Sequence, residues 1–319
     1  MSKSIGIDVG GTNLRLGVFE DLTLLEETRH QADFSQICKE NDPKQAWQEI
    51  LQVLAEAISM RLSAHADIQA IGIGFPGFID PHTQTLAQSP NLSGLKNVNL
   101  AADLSKCLSE VYGKKVLNII VENDANAAAY GEYCLLNKPE TGLIYFGLGT
   151  GVGGGLVHAG KVFSGFHGCA MEVGHIIVEP QGRLCGCGNQ GCMEQYASAS
   201  GVSISYAIQN STIQSSAKQK LSAQQIAELA KKGHKDAQAA YHKAGETLAM
   251  ALAHVLKVVD VPNVLIGGGM SGAWDLMQNA FDARLEADLI PVLRGKIKVT
   301  ISTTGDQAGM LGAALLAKL

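Results

Sequence analysis

The sequence predicts an α/β protein assembled from two similar halves, and three observations carry that reading. Short apolar runs alternate with segments of helical periodicity along the whole chain, the pattern expected of helices packed on a sheet. The stretch Ile5 to Val18, an apolar strand, a glycine-threonine turn and a second apolar strand, is echoed at Ile144 to Val157, which marks a duplicated unit. Glycine-rich turns follow apolar strands at three places: Gly10-Gly11-Thr12, Gly149-Thr150-Gly151 and Gly267-Gly268-Gly269.

Ile5 to Val9 reads as a buried strand, and Leu14 to Phe19 returns from it as a hairpin. Pro43 to Leu62 is helical, with Trp47, Ile50, Leu51, Leu54 and Ile58 on one face. Ala70 to Phe75 is a strand that stops at Pro76-Gly77, Leu100 to Val111 is helical, and Val116 to Val121 is a strand. Glu122-Asn123-Asp124 then leads into an alanine-rich helix, Ala125 to Leu135, and Asn or Asp at such a junction is a natural N-cap. Leu143 to Leu148 and Gly155 to His158 form the second hairpin. Later helices are expected over Ala223 to Lys231, Ala237 to Val259, Ala273 to Leu289 and Gln307 to Lys318, with strands at Asn263 to Ile266 and Ile297 to Ile301.

The 319 residues suit two domains, and 46% hydrophobic residues supply a sizeable core. The net charge of -5 argues against a nucleic-acid partner. Leu248 to Val261, the most apolar helical region, is broken by His254, Lys257 and Asp260, too short and too charged to span a bilayer. The chain runs from Met1-Ser2-Lys3-Ser4 straight into a strand, with no apolar leader. Of seven cysteines, Cys38, Cys107, Cys134 and Cys169 are scattered like small core residues. That usage fits a reducing compartment, so a cytoplasmic location is expected.

The remaining three cysteines are the most specific signal. Glu172-Val173-Gly174-His175 is followed by Cys185-Gly186-Cys187 and Cys192-Met193-Glu194. Three thiolates and one imidazole complete a tetrahedral zinc shell. A full shell leaves no open position, so His175, Cys185, Cys187 and Cys192 read as a structural Zn²⁺ site that fixes Glu172, His175 and Glu194 relative to one another. Reduced, unliganded thiols are the alternative.

The glycine turns suit phosphate. Glycine lets backbone amides approach an anion, and threonine adds a hydroxyl donor. Each turn alone fits bare hairpin geometry equally well; three at the ends of core strands favour a nucleotide. Gly149-x-Gly151-x-x-Gly154 imitates a dinucleotide fingerprint, but the segment after it reads as a strand where that fingerprint requires a helix. A nicotinamide dehydrogenase is therefore disfavoured. Asp124 could do no more than cap its helix. Beside Asn123, and with Glu172 and Glu194 in the same chain, it could instead take the proton of a sugar hydroxyl as that oxygen attacks a phosphate.

Together these residues resemble the ROK family of sugar kinases and repressors. The resemblance runs from Asp8-x-Gly10-Gly11-Thr12 to Gly305-Asp306-Gln307-Ala308-Gly309, and is most specific over Glu172 to Glu194. It implies a duplicated actin-like ATPase fold of the ribonuclease H-like and hexokinase type, with the active site in a cleft between two domains. The expected division is residues 1–121 plus 304–319, and residues 122–303 with the zinc-bearing loop 172–194. The resemblance implies Asp124 as catalytic base, and sugar contacts from Asn91, Asn123, Asp124, Glu172, His175 and Glu194. It gives Asp8 a water-mediated role toward the Mg²⁺ of MgATP. Nucleotide is expected on Gly10, Gly11, Thr12, Gly149, Thr150, Gly151, Gly267, Gly268 and Gly269.

Repressors of this family carry a DNA-binding module ahead of the first phosphate turn, and here that turn begins by residue 8. The expectation is thus an enzyme: an ATP-dependent hexose kinase acting on a primary 6-hydroxyl, with glucose leading because the spacing through Ala197-Ser198-Ala199-Ser200-Gly201 looks like bacterial glucokinases. N-acetylmannosamine, N-acetylglucosamine and fructose kinases share every motif used, and polyphosphate users share the loops. A non-catalytic sugar sensor is the alternative of another class. Closure of the domains is expected to exclude water, and a homodimer is expected by analogy.

Overall fold

The computed structural model describes residues 2–10, 13–113, 118–209 and 221–319. Its strands are β1 Lys3–Val9, β2 Asn13–Glu20, β3 Thr23–Gln31, β4 Ile68–Phe75, β5 Phe78–Ile79, β6 Leu86–Gln88, β7 Lys96–Val98, β8 Asn118–Asn123, β9 Leu143–Leu148, β10 Val152–His158, β11 Lys161–Val162, β12 Asn263–Gly267 and β13 Lys298–Ile301. One five-stranded sheet has the order β3-β2-β1-β4-β8, and another has the order β11-β10-β9-β12-β13. Position by position the two orders are the same, so the repeat seen in the sequence is a repeat of topology. A small antiparallel sheet, β5-β6-β7, is added after β4.

Contacts divide the chain into two compact units: residues 1–142, 155–170 and 306–319, and residues 143–154 and 171–305. The boundary differs from the expected one at the helix Asp124–Leu135, which belongs to the first unit. Its partner there is the closing helix Gln307–Leu316. The two helices approach without intervening side chains: a Cβ on Gly131 would run into the Ala308 carbonyl, and one on Gly312 into the Ala127 carbonyl.

In the first unit, β1 and β4 pair in parallel and are buried along almost their whole length, as strands covered on both faces are. Ile5, Ile7, Ile71 and Ile73 are inaccessible to solvent, each contributing about 1.5–3 kcal/mol by leaving water. The helix Gln307–Leu316 lies so close to β1 and β4 that side chains at Gly6 and Gly72 would strike its backbone. Asp42 caps the helix Pro43–Ala64 by accepting from the Lys44 and Gln45 N–H groups, with Pro43 at the first position.

Expected and observed elements differ in instructive places. β3 was not expected, because its exposure alternates and it has no apolar run. The helix expected over 273–289 is a 3₁₀ turn, Gly269–Leu276, followed by a helix, Gln278–Asp288. Ala273 leaves helical geometry inside the 3₁₀ segment, Met277 separates that segment from the helix, and Trp274 packs edge-on against Phe281. The expected strand start at Val116 lies outside the described residues. Among the described residues no helix is long and apolar enough to cross a membrane.

Candidate active site and metal centre

In the first unit the candidate residues gather at the carboxyl ends of three parallel strands. Register places Asp8 of β1 beside Gly74 of β4, and Gly74 beside Glu122 of β8. Ligands in open α/β sheets collect at such strand ends. Asp124 follows as the first residue of its helix, and its Oδ1 accepts from the Ala125 N–H at 2.9 Å. Burial holds the Asp124 carboxyl above the ordinary carboxylate range. Asp8 is pushed up from 3.8 to about 7, first by burial, then by the charge of Asp124; Arg15 opposes this and Asp306 adds to it. Arg15 and Asp306 are themselves an ion pair. At Gly309 an added Cβ would lie 3.3 Å from the Asp8 carboxyl carbon, so the closing helix packs against this acid.

The crowding of Asp8 has a testable consequence. Its folded pKa lies above its unfolded value, so the folded chain binds more protons between pH 3.8 and about 7. Stability therefore falls through that window as pH rises, and the cost is constant above it. Asp8→Asn is expected to raise the thermal midpoint of metal-free protein at pH 8 and to change it little near pH 4. Melting curves in chelator across this range check it, and a gain that is the same at both ends rules out the crowding.

Asn123, the other half of the junction, is heavily committed. Its Oδ1 accepts from the Ala125 and Asn126 N–H groups as the N-cap, and its Nδ2 donates to the Gly77 carbonyl at 3.1 Å. One amide hydrogen is left for a ligand. Asn91 is exposed on a loop anchored at the same place: buried Ser89 donates its hydroxyl to the Pro76 carbonyl at 2.6 Å and accepts from the Leu92 N–H. Gly77, at φ +142°, has no room for a side chain beside Leu86 and the Gln88 carbonyl.

Sequence reasoning missed Glu122. Its carboxylate accepts from the Asn123 N–H at 2.9 Å, from Asn126 Nδ2 at 3.0 Å and from the Ser164 hydroxyl at 3.2 Å. Burial raises its pKa against the lowering effect of these bonds. Glu122 thus ties the loop beginning at Ser164 to the residues that carry Asp124. A carboxylate closing an apolar strand was the available signal. Arg15 faces Asp8 across the β1–β2 hairpin, and only its pairing with Asp306 joins residues almost the whole chain apart.

Gly10 closes the first hairpin by donating its N–H to the Asn13 carbonyl at 2.9 Å; Gly11 and Thr12 lie outside the described residues. In the second unit the corresponding turn is closed by the Gly149 N–H donating to the Gly151 carbonyl at 2.9 Å, with Thr150 exposed. Of the third glycine group, Gly267 packs against the Tyr145 ring. Gly268 is left-handed (φ +81°) and abuts the Leu148 backbone. Gly269 alone borders open space, so two of these three glycines are explained by packing on β9.

His175, Cys185, Cys187 and Cys192 converge, with their ligand atoms all within 4.8 Å of one another. His175 Nδ1 is 3.6 Å from Cys185 Sγ, and Cys187 Sγ is 3.6 Å from Cys192 Sγ. Zinc–sulfur bonds of about 2.3 Å in a tetrahedron separate sulfurs by about 3.8 Å, so the donors fit a zinc ion. The other imidazole nitrogen, Nε2, faces Glu172 Oε2 at 3.9 Å. Without metal the thiols are unequal: burial pushes Cys192 up to about 12, while a backbone bond from Asn189 lowers Cys187. The loop is also fastened by protein alone. Arg183 lies over the Tyr196 ring and donates to the Gln195 and Gly201 carbonyls and the Ser205 hydroxyl, and Lys243 pairs with Glu179. Glu194 directs Oε2 at the Val152 N–H, 3.0 Å away.

Two sheets of identical strand order, with carboxylates at the strand ends of one and a glycine turn in each, define the actin-like ATPase class of fold. A crystal structure of a ROK family glucokinase from Streptomyces griseus, in complex with glucose and AMPPNP, superposes with a TM-score of 0.79 over 99% of both chains at 29% identity. Among curated relatives, a glucokinase of Thermotoga maritima is 30% identical over 99% of this chain and 97% of its own length. An N-acetylmannosamine kinase of Escherichia coli is 30% identical over 99% and 98%. The ROK family pattern matches residues 4–319, and the chain belongs to the ROK family.

Proposed function

We propose that this chain is an ATP-dependent hexose kinase that transfers the γ-phosphate of ATP to the 6-hydroxyl of its sugar, with glucose the leading substrate. The observation that carries the reading is the Asp8–Asp124 pair at the ends of β1 and β8, with only β4 between those strands, two carboxyls held above their ordinary range by burial and, for Asp8, by the neighbour's charge. A raised carboxyl is a better proton acceptor at neutral pH than an exposed one. Asp124 takes the proton of the sugar hydroxyl, and the oxygen lone pair forms the new bond to phosphorus as the bond to ADP breaks. The full-length likeness to glucokinases supports glucose, and the likeness to N-acetylmannosamine kinases supports an N-acetylhexosamine as the second reading.

The remaining roles follow from donor chemistry. Asn91, Asn123, Glu172, His175 and Glu194 hold sugar hydroxyls. Amides of Gly10, Gly11 and Thr12, and of Gly149, Thr150 and Gly151, hold phosphate oxygens, and Gly267, Gly268 and Gly269 border the base and ribose. Mg²⁺ would neutralise charge on the transferring phosphoryl group, and the crowded carboxyl of Asp8 fits a water-mediated partner for it. His175, Cys185, Cys187 and Cys192 would hold a structural Zn²⁺. A homodimer in the cytoplasm is the proposed working form.

A coupled ADP-release assay over hexoses and N-acetylhexosamines with ATP, and a sugar-phosphate assay over the same panel with polyphosphate, test the proposal. Sugar-dependent ADP release with glucose as the best substrate is expected. A different best sugar replaces glucose and keeps the kinase. Sugar binding with no sugar phosphate formed from either donor gives a sensor and overturns the enzyme.

A further inference from the structure

Glu194 and the turn Gly149-Thr150-Gly151 are assigned to different substrates by the kinase reading, yet they are in direct contact. Glu194 Oε2 accepts the Val152 N–H at 3.0 Å, immediately after the turn. Gly151 has no Cβ, and one added there would run into that same Oε2. A second bond comes from the same segment: the Ala199 N–H donates to the Gly149 carbonyl at 2.9 Å. Both ends of the turn are therefore held by residues 194–199. That segment is rigid in its own right, because the Ser198 hydroxyl donates to the Glu194 carbonyl at 2.7 Å and accepts from the Gly201 N–H at 3.0 Å. The candidate metal ligand Cys192 precedes Glu194 by two residues.

A carboxylate has two oxygens, and here they are divided. Oε2 is spent on the turn and Oε1 remains for a sugar hydroxyl. We propose that Glu194 couples the two substrate sites, so that sugar held on Oε1 fixes the carboxylate and thereby the phosphate turn, and phosphate on the turn fixes the carboxylate for sugar. This rests on the kinase reading above. Coupling between binding sites is reciprocal by thermodynamic necessity, with typical factors of about 5–150. Disturbing the turn must then weaken sugar, and disturbing Glu194 must weaken nucleotide, each measured with the other substrate absent.

Two variants separate the effects. Gly151→Ala pushes the carboxylate off the Val152 N–H while leaving every proposed sugar contact chemically intact. Gly151 is not among the glycines with positive φ, so alanine is compatible with its backbone. Glu194→Ala removes the tie from the other side. Calorimetric titrations use glucose alone and Mg²⁺ with AMPPNP alone, with melting curves as the folding check. Expected results are glucose affinity lowered about 5-fold or more in Gly151→Ala, and AMPPNP affinity lowered to a similar degree in Glu194→Ala. Wild-type protein that binds neither probe overturns the kinase reading and this inference with it. Wild-type protein that binds both, while Gly151→Ala keeps its glucose affinity, overturns the coupling alone. Should Gly151→Ala fail to fold, the AMPPNP affinity of Glu194→Ala decides in the same way.

Discussion

Asp124→Asn is expected to lower kcat by ~10²-fold or more, the loss of a general base, and to leave folding intact. The helix keeps its cap, because Asn123 supplies an oxygen to both the Ala125 and Asn126 N–H groups, and Asp124 adds only a second contact to the Ala125 N–H, which an amide oxygen can also make. The substitution is isosteric and removes a charge that the surrounding protein disfavours. Steady-state kinetics beside a melting curve check both halves. Because the base acts only when deprotonated and its pKa is raised, wild-type activity should fall on the acid side at a pH above the usual carboxylate range. Asp8 should respond as well. Removing the second-largest cause of its shift lets its own pKa fall, so the pH dependence of stability assigned to Asp8 should move to lower pH in the variant. Turnover near that of the wild type would take Asp124 out of the chemistry.

Cys187→Ser is expected to cost metal affinity at least ~10²-fold, since disturbing residues that merely support a metal ligand already costs 10–100-fold, and to weaken sugar binding with it. The reason lies in how the loop is built. Cys187 is in the tight turn closed by the Gly188 N–H on the Cys185 carbonyl, and by the Cys185 N–H on the Asn189 carbonyl. His175 shares its ring between the thiol cluster and Glu172, so losing the metal frees the imidazole that orients Glu172. Arg183 and the Lys243–Glu179 pair still fasten the loop to the helix Lys235–Val259 and its neighbours. The chain should therefore remain folded while the 172–194 segment loosens. Metal affinity should also decline as pH falls, because thiols must lose protons to bind. Metal analysis of native protein decides the premise, and native protein with no zinc ends it.

How much of this was legible in the sequence varies by residue. The cysteine cluster proposed to hold metal was, because a tight loop brings together Cys185, Cys187 and Cys192 with little help from the rest of the chain. The two hairpins were, because continuous apolar runs and glycine turns are local signals. The 3₁₀ turn ahead of the helix Gln278–Asp288 was not, because no glycine or proline between Ala273 and Gln278 announces the break. Glu122 was overlooked although it adjoins the residues that were chosen. Its importance lies in Ser164 and Asn126, which close on it only in the fold. The glycines at 267 and 268 were read for a nucleotide, and the fold adds a packing reason for both in Tyr145 and Leu148.

The sequence by itself determined the plan of repeated strands and turns, the sulfur and imidazole donors, and the carboxylate that begins a helix after β8. These depend on spacing and periodicity, which a linear chain displays directly. Only the tertiary structure decided which atoms are already spent: one Asn123 amide hydrogen on Gly77, one Glu194 oxygen on the Val152 N–H, and the Asp8 charge against Asp124 and Asp306. Hydrogen-bond partners and neighbouring charges are set by distance in space, and these residues become neighbours only after chain far apart in sequence has packed together.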